Sequence, residues 1–288
     1  MFSTARRLFA SSHPGPTVAV TVLAVVLASA VGVHPLRTVL LALVVFVGQL
    51  SIGWSNDWLD ARRDLRSGRL DKPVARGDLS VGTVRLAALL AGAASIPLSF
   101  TLGWAAAAAH LLFLACGWAY NLHLKSTAWS VVPFIIGFGA LPAVVTFAVV
   151  PPIPPAGWTL AVGGLFGIAI HFTNALPDLD DDLRTGVRGL PHRLGARTAG
   201  RAAFGALGLA GVVAVLGQSG VFSGRLSAPP LVGVIGAAGV LGLVIWGLVL
   251  VGSRQPDRTL FRLIIGAALL VTVVLAVAGT NLGVVSTS

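Results

Sequence analysis

The sequence predicts an all-α integral membrane protein in which nine transmembrane helices form one bundle, and four observations carry that prediction. Hydrophobic residues fill 56% of 288 positions and charged residues only 10%, with a mean hydropathy of +0.90, whereas a soluble domain carries about 25% charged residues. The 35 glycines and abundant alanines are the small residues that let membrane helices approach closely. The short alternating segments of a membrane β-barrel are absent. Finally, apolar runs of about 20 residues, long enough to cross a bilayer core as helix, recur along the whole chain.

In chain order, residues 1–16 carry Arg6 and Arg7 ahead of the first apolar run. No small-residue cleavage site leads from there into a polar mature protein, so this segment reads as a cytoplasmic tail. The expected spans lie near 17–33, 36–55, 81–101, 104–121, 129–149, 157–176, 198–218, 230–252 and 259–281. With the N-terminus inside, 18 of the 20 Lys and Arg residues fall on the cytosolic side, and only Arg37 and Arg225 face the other way. This is the positive-inside pattern. The net charge of +10 is therefore topology and not a nucleic-acid surface, and the expected location is the cell membrane, multi-pass, with the C-terminus outside. The single cysteine, Cys116, can form no internal disulfide and no multi-thiolate metal site. One domain is expected over 1–288, with cytosolic loops at 56–80 and 178–197.

Those loops hold the chemistry. All ten acidic residues are Asp, and nine of them lie in two clusters, Asp57–Asp78 and Asp178–Asp182. Each cluster contains Asn followed by Asp at four and eight residues: Asn56/Asp60/Asp64 and Asn174/Asp178/Asp182. On a helix that spacing stacks three side chains on one face. Like charges so placed repel, so the pattern calls for a cation. A hard divalent ion such as Mg²⁺ takes oxygen ligands, keeps waters and shares them with substrate phosphates. No Cys/His set offers a rival zinc site. Asp57 and Asp181 are further candidates, while Asp180 is expected to point away. Among the histidines, His110 reads as a packed, hydrogen-bonded residue, and His171 lies one turn before Asn174.

Each cluster ends a span and runs into a basic loop, the first with Arg62, Arg63, Arg66, Arg69 and Lys72, the second with Arg184, Arg188, Arg193 and Arg197. The repeated context points to an internal four-helix pseudo-repeat. Paired carboxylates, a divalent metal and a basic clamp at the mouth of a membrane bundle suit a substrate with a diphosphate head and a greasy tail. A polyprenyl diphosphate meets that description. Arg63, Lys72, Lys125 and Arg193 are the candidate clamp. Pro177 is expected to kink or break the sixth helix where the second cluster begins.

These residues resemble the UbiA superfamily of intramembrane prenyltransferases. The resemblance rests on Asn56-Asp57-x-x-Asp60-x-x-x-Asp64, on Asp178-x-x-x-Asp182 with Gly186, Arg188, Leu190, Pro191, Arg193, Leu194 and Gly195 behind it, and on Asp71-Lys72-Pro73 before Arg76-Gly77. It covers essentially the whole chain. One departure is that many members carry Tyr-x-x-x-Lys between the motifs, whereas four residues separate Tyr120 from Lys125. The resemblance implies nine helices, Mg²⁺ as cofactor, and ionisation of a polyprenyl diphosphate with transfer of the prenyl group to a hydrophobic acceptor, an aromatic or a lipid alcohol. Asp60, Asp64, Asp178 and Asp182 would be catalytic and hold metal with Asn56 and Asn174. Arg63, Lys72, Tyr120, Lys125 and Arg193 would bind substrate. Trp54, Trp58, Trp118, Phe134, Phe138 and Phe172 either flank the carbocation or simply pack. A terpene cyclase on the same scaffold needs the same ionising apparatus. A transporter would place charge near the bilayer midplane, where this sequence has almost none.

Overall fold

A computed structural model describes residues 4–68, 72–184, 186–224, 231–253, 258–277 and 283. Among them the chain is helical, with no strand beyond an isolated bridge between Pro155 and Gly283. A short α1 (Thr4–Ala10) precedes α2 (Pro14–Ala30), bent 73° from it. Then come α3 (Pro35–Ser67), α4 (Val81–Phe100), α5 (Trp104–Leu122), α6 (Val132–Phe147) and α7 (Gly157–Ala175). The short α8 (Leu179–Arg184) and α9 (Leu190–Leu194) lead into α10 (Ala196–Gln218), α11 (Leu231–Ser253) and α12 (Arg258–Val277).

Local sequence explains the ends of these elements. Prolines begin α2, α3 and α6, positions where the missing N–H costs nothing. Ser80 caps α4 by accepting the Thr83 N–H at 3.0 Å. At Pro177 the α-helical hydrogen bonding of α7 gives way to a 3₁₀ turn, Leu176–Asp178, as expected of an interior proline.

Among the described residues six helices are long and apolar enough to cross a membrane, and the bent α1–α2 pair would make a seventh; α6 is shorter. The outer surface is apolar too, with Leu36, Val39, Leu86 and Trp129 exposed, an inside-out pattern suited to lipid. Helix α3 runs 33 residues, about 50 Å at the α-helical rise, against a hydrocarbon core of about 30 Å. Residues 56–67 therefore continue this helix, where the sequence suggested a loop from 56. The surplus length carries the first Asp cluster beyond the apolar segment.

The long helices pack in chain order, α2 on α3, α3 on α4, α5 on α6, α6 on α7, α7 on α10, α10 on α11 and α11 on α12, and α12 returns to α2. The ring is closed. Helices α6 and α7 come closest: a Cβ added to Gly163 would lie 2.3 Å from the Phe138 carbonyl oxygen, and one on Gly167 2.2 Å from that of Phe134. Only glycine permits this backbone contact, the use small residues have four apart in membrane helices. At the end opposite the Asp clusters, Arg37 donates to the Ala148 carbonyl at 2.9 Å and to that of Leu102 at 2.8 Å. The cation thus ties together the C-terminal ends of α6 and α4.

Candidate active site

Inside the ring lies a cavity of about 460 Å³ bounded by α2, α3, α5, α6, α7 and α12. Asn56, Asp57, Asp60, Arg63 and Lys72 line it from one side, Asn174, Asp178 and Asp182 from another, and Tyr120 and Lys125 from between. Two clusters 118 residues apart in sequence therefore meet in one space. Away from the charged end the walls become apolar, with Val20, Phe113, Phe134, Phe138 and Ile170.

On α3 the buried acidic face is Asp57 (2% exposed), Asp60 (4%) and Asp64 (3%). That is a three-and-seven spacing, which also shares one side of an α-helix. Lys72 bridges its two ends, with Nζ 3.1 Å from Asp57 Oδ1 and 2.7 Å from Asp64 Oδ2. Between them, Asp60 accepts from Arg63 Nη2 at 2.7 Å and pairs with Lys125. Asp64 does not itself line the cavity and faces Lys72. Burial pushes the Lys72 ammonium down, but the Asp57, Asp64 and Asp60 carboxylates outweigh it and hold Lys72 above the usual lysine range. Burial dominates at Lys125 and draws it below that range, although Asp60 opposes the shift.

Lys125 stands on a 3₁₀ turn, Leu124–Ser126, after α5 has ended at Leu122. The extra residue between Tyr120 and Lys125 is thus accommodated outside the helix, and helical register does not govern where the ammonium lands. Asp178 sits on the 3₁₀ turn after α7 and Asp182 on α8, where its Oδ2 lies 3.2 Å from His192 Nε2. The side chains of Asp180 and Asp181 lie outside the described residues, as do Arg69, Asp71, Arg225 and Asp257. Arg193 is exposed, away from the cavity, and donates to the Arg188 carbonyl at 3.1 Å.

Several participants were not evident in the sequence. Ser11 donates to Asp57 Oδ2 at 2.5 Å and His13 Nε2 to Oδ1 at 3.0 Å. The α1–α2 bend therefore folds over the first cluster. Trp54 donates to the Leu8 carbonyl at 2.8 Å, and a Cβ on Gly53 would meet the Ser12 carbonyl oxygen at 2.1 Å, so the segment is seated closely on α3. Asn121 accepts from Asn56 Nδ2 at 3.2 Å and donates to the Ile52 carbonyl at 2.9 Å and to Ser55 Oγ at 2.8 Å. A polar residue beside Tyr120 at the end of an apolar run was the available signal.

Of the six aromatics expected either to flank a carbocation or simply to pack, Phe134 and Phe138 line the cavity, and Phe113, Tyr120 and Phe261 join them. Trp54 pins α1, Trp118 donates to Ser51 Oγ at 3.1 Å, Trp58 packs edge-on against Trp118, and Phe172 is core. His171 stands behind this wall, tilted against Phe134 at 4.8 Å and 3.0 Å from Ser130 Oγ. His110 is buried against Ser99 Oγ at 2.8 Å.

The donor set suits a hard cation. The carboxylates and amides that meet in the cavity offer oxygen, and four lining Asp residues face three lining Lys and Arg residues. Among the described residues no three His, Cys, Asp or Glu side chains close a metal cage. Magnesium needs no such cage, because one or two carboxylates with water and substrate phosphate suffice.

A sequence model of the UbiA prenyltransferase family matches residues 17–266. No curated protein matches the chain significantly in sequence. Among solved structures, a UbiA homologue from Archaeoglobus fulgidus bound to GPP and Mg²⁺ superposes with a TM-score of 0.69 at 12% identity, over 94% of this chain and 99% of that one. A UbiA homologue from Aeropyrum pernix K1, in its apo form, gives 0.67 at 17% identity over 96% and 99%. A structure of digeranylgeranylglyceryl phosphate synthase gives 0.61 at 14% identity over 97% and 98%. At these identities the likeness is one of fold.

Proposed function

The chain belongs to the UbiA prenyltransferase family, and from that premise we propose that it is an Mg²⁺-dependent intramembrane enzyme that ionises a polyprenyl diphosphate and transfers the prenyl group to an aromatic or lipid-alcohol acceptor. The observation that carries this reading is the single cavity. It gathers two Asp clusters and three cations at one end and turns aromatic and apolar towards the middle of the bundle.

Asp60, Asp178 and Asp182 would hold the metal with support from Asn56 and Asn174, and Asp64 contributes its charge through Lys72. Bound there, Mg²⁺ supplies Lewis-acid neutralisation of the charge on a departing diphosphate. Arg63, Lys72 and Lys125 line the same end and offer fixed positive charge to the diphosphate oxygens, the preorganised stabilisation that dominates many catalysed reactions. The allylic C–O bond breaks with its electron pair leaving on the diphosphate. The acceptor oxygen or ring carbon then bonds to the cationic carbon and releases a proton. Phe113, Tyr120, Phe134 and Phe138 face that carbon, each worth about 0.5–2 kcal/mol as a cation–π partner, and the apolar wall keeps water from quenching it. Asn121 orients Asn56 through their hydrogen bond.

The proposed topology has nine spans, one on each of α2 to α7 and α10 to α12, with the N-terminus and both Asp clusters cytosolic. The 18-to-2 division of basic residues supports it. The test is incubation of the purified protein with Mg²⁺, prenyl diphosphates of graded length and native membrane extract. Diphosphate release should depend on Mg²⁺, and a prenylated acceptor should appear by mass. A hydrocarbon formed equally without extract, at the mass of the donor less diphosphoric acid and with fewer double bonds than the linear elimination product, would replace transfer with cyclisation. No release from any donor would overturn the reading.

A further inference from the structure

Gln49 is a polar side chain set deep in the apolar part of the main cavity. It lines the space from α3 and is 8% exposed, yet its amide has no hydrogen-bond partner among the described residues. An amide so placed is costly to leave unpaired, which marks it as the contact for a polar group of whatever fills the cavity. Asn56 stands seven residues along the same face of α3 and Asp60 eleven, about 10 and 16 Å nearer the charged end. The bonds from Trp118 to Ser51 and from Asn121 to Ser55 hold α5 beside α3 in matching register. Phe113 and Cys116 therefore line the cavity close to the level of Gln49. Thr17 lines it from α2, but its hydroxyl already donates to the Ser12 carbonyl at 2.9 Å. We propose that Gln49 selects the acceptor: its amide hydrogen-bonds a neutral hydroxyl or carbonyl on an aromatic ring whose opposite end meets the reacting carbon. The proposal rests on the prenyltransferase reading of the cavity.

Chemistry narrows the occupant. The donor's hydrocarbon tail has no polar atom to offer the amide. A lipid alcohol keeps its polar end at the charged mouth and sends only hydrocarbon deeper. A ring with polar groups at opposite ends serves both levels, and Phe113 and Phe138, edge-on at 5.7 Å, give it an aromatic wall. Charge is settled by the cations. Among the described residues, the Lys and Arg side chains that line the cavity are Arg63, Lys72 and Lys125. Arg63 lies 14 residues from Gln49 along α3, about 21 Å of helix. A carboxylate beside Gln49 would be buried without a counter-charge, and an unpaired buried charge is costly. A primary amide both donates and accepts, so a hydroxyl and a carbonyl suit it equally. Gln49 thus sorts aromatic acceptors by neutrality at the end remote from the attack.

Three probes built on one ring test it: methyl para-hydroxybenzoate, para-hydroxybenzoate and phenol. Their affinities are measured by isothermal titration in detergent, with Mg²⁺ and an uncleavable thiolodiphosphate donor analogue present. At neutral pH the parent should bind the neutral ester at least about tenfold more tightly than the carboxylate. Gln49→Leu and Gln49→Met should each weaken the ester about tenfold, the scale of one hydrogen bond. Phenol, which lacks the second group, should bind parent and variants alike. With a cleavable donor the same loss should appear in the acceptor's KM rather than in kcat. Thermal unfolding identifies a variant that fails to fold, and the ester-to-carboxylate ratio of the parent needs no variant at all. Ester and carboxylate bound equally, ester binding unmoved in a folded variant, or no probe bound by the parent would overturn the proposal. Ester binding that depends on Gln49, without diphosphate release from any prenyl donor, would overturn the prenyltransferase reading and leave the amide site standing.

Discussion

His13 holds its ring 3.0 Å from the Asp57 carboxylate, 44 residues further along the chain, and adopts a left-handed backbone with φ of 54° to do so. It is the only non-glycine residue with positive φ among the described residues. Such a conformation costs a side-chain-bearing residue about 1–2 kcal/mol. The contact offsets that cost and fixes where α1 turns into α2. The same turn places Ser11 on the other oxygen of Asp57, so Asp57 is fixed from outside its own helix.

The first prediction separates strain from contact. His13→Gly removes both, and its stability should stay within about 1 kcal/mol of the parent because the relieved backbone compensates for the lost bond. His13→Ala keeps the strain and loses the bond, and should be less stable by about 1–2 kcal/mol. Both should lower the rate of diphosphate release by about tenfold, since Asp57 loses one of its three partners and keeps only Ser11 and Lys72. Melting temperature and diphosphate release measured on the two variants decide it. Equal activity in parent and variants would make the contact purely structural.

Asp60 takes Arg63 and Lys125 at once, which makes a truncation there ambiguous. Asp60→Ala removes the carboxylate shared by the half-buried Arg63 and Lys125, although Arg63 keeps Asp64 at 3.9 Å, and should cost about 1–3 kcal/mol of stability. Asp60→Asn keeps shape and acceptor oxygen. Diphosphate release by Asp60→Asn should fall at least about a hundredfold, in the range seen when one preorganised charge-stabilising group is lost, while circular dichroism remains that of the parent. Asp178→Asn should behave alike from the opposite wall. Residual activity near the parent level in either would remove that carboxylate from the reaction.

The helices and the two Asp clusters were legible in the sequence because period and hydropathy are local properties. The choice of face was not. Asn56/Asp60/Asp64 and Asp57/Asp60/Asp64 both satisfy helical spacing, and burial selects the second set through Ser11, His13 and Lys72, contacts that local pattern cannot contain. Lys125 was found by its place between the clusters, although its reach to Asp60 depends on a 3₁₀ turn. The aromatics fared worst. Trp54, Trp58 and Trp118 stand near the cluster helices in sequence, yet they turn to α1, Arg85 and Ser51. Nearness along a helix does not specify which side faces the cavity.

Arg37 offers a stability test far from the chemistry. Its two hydrogen bonds to the Ala148 and Leu102 carbonyls join helix ends whose carbonyls are otherwise short of donors. Arg37→Ala should lower stability by about 2–3 kcal/mol, the upper range for charged hydrogen bonds. Arg37→Lys supplies one donor position in place of a planar fork and should recover only part of the loss. Thermal unfolding in detergent reads both. Equal melting temperatures in parent and Arg37→Ala would show that the far-side charge acts in topology alone.

The last prediction sets Lys125 against Arg193, two basic residues that sequence position treated alike. Lys125 is inside, lining the cavity and paired with Asp60. Arg193 is exposed and bonded to the Arg188 carbonyl. Charge-preserving exchange keeps the positive-inside balance in both cases, so orientation reported by cysteine labelling or fusion reporters should not change. At Lys125 the compact ammonium occupies a confined position that a longer, planar guanidinium does not reproduce. Diphosphate release by Lys125→Arg should therefore fall about tenfold or more, with the loss mainly in kcat if the contact tightens on the leaving diphosphate. Arg193→Lys should remain within about twofold, as surface substitutions away from packed features do. The reverse ranking would mean that α9 closes over the cavity during turnover and brings Arg193 to the diphosphate. Equal, near-parent activity in both would assign both residues to topology and leave Arg63 and Lys72 as the clamp.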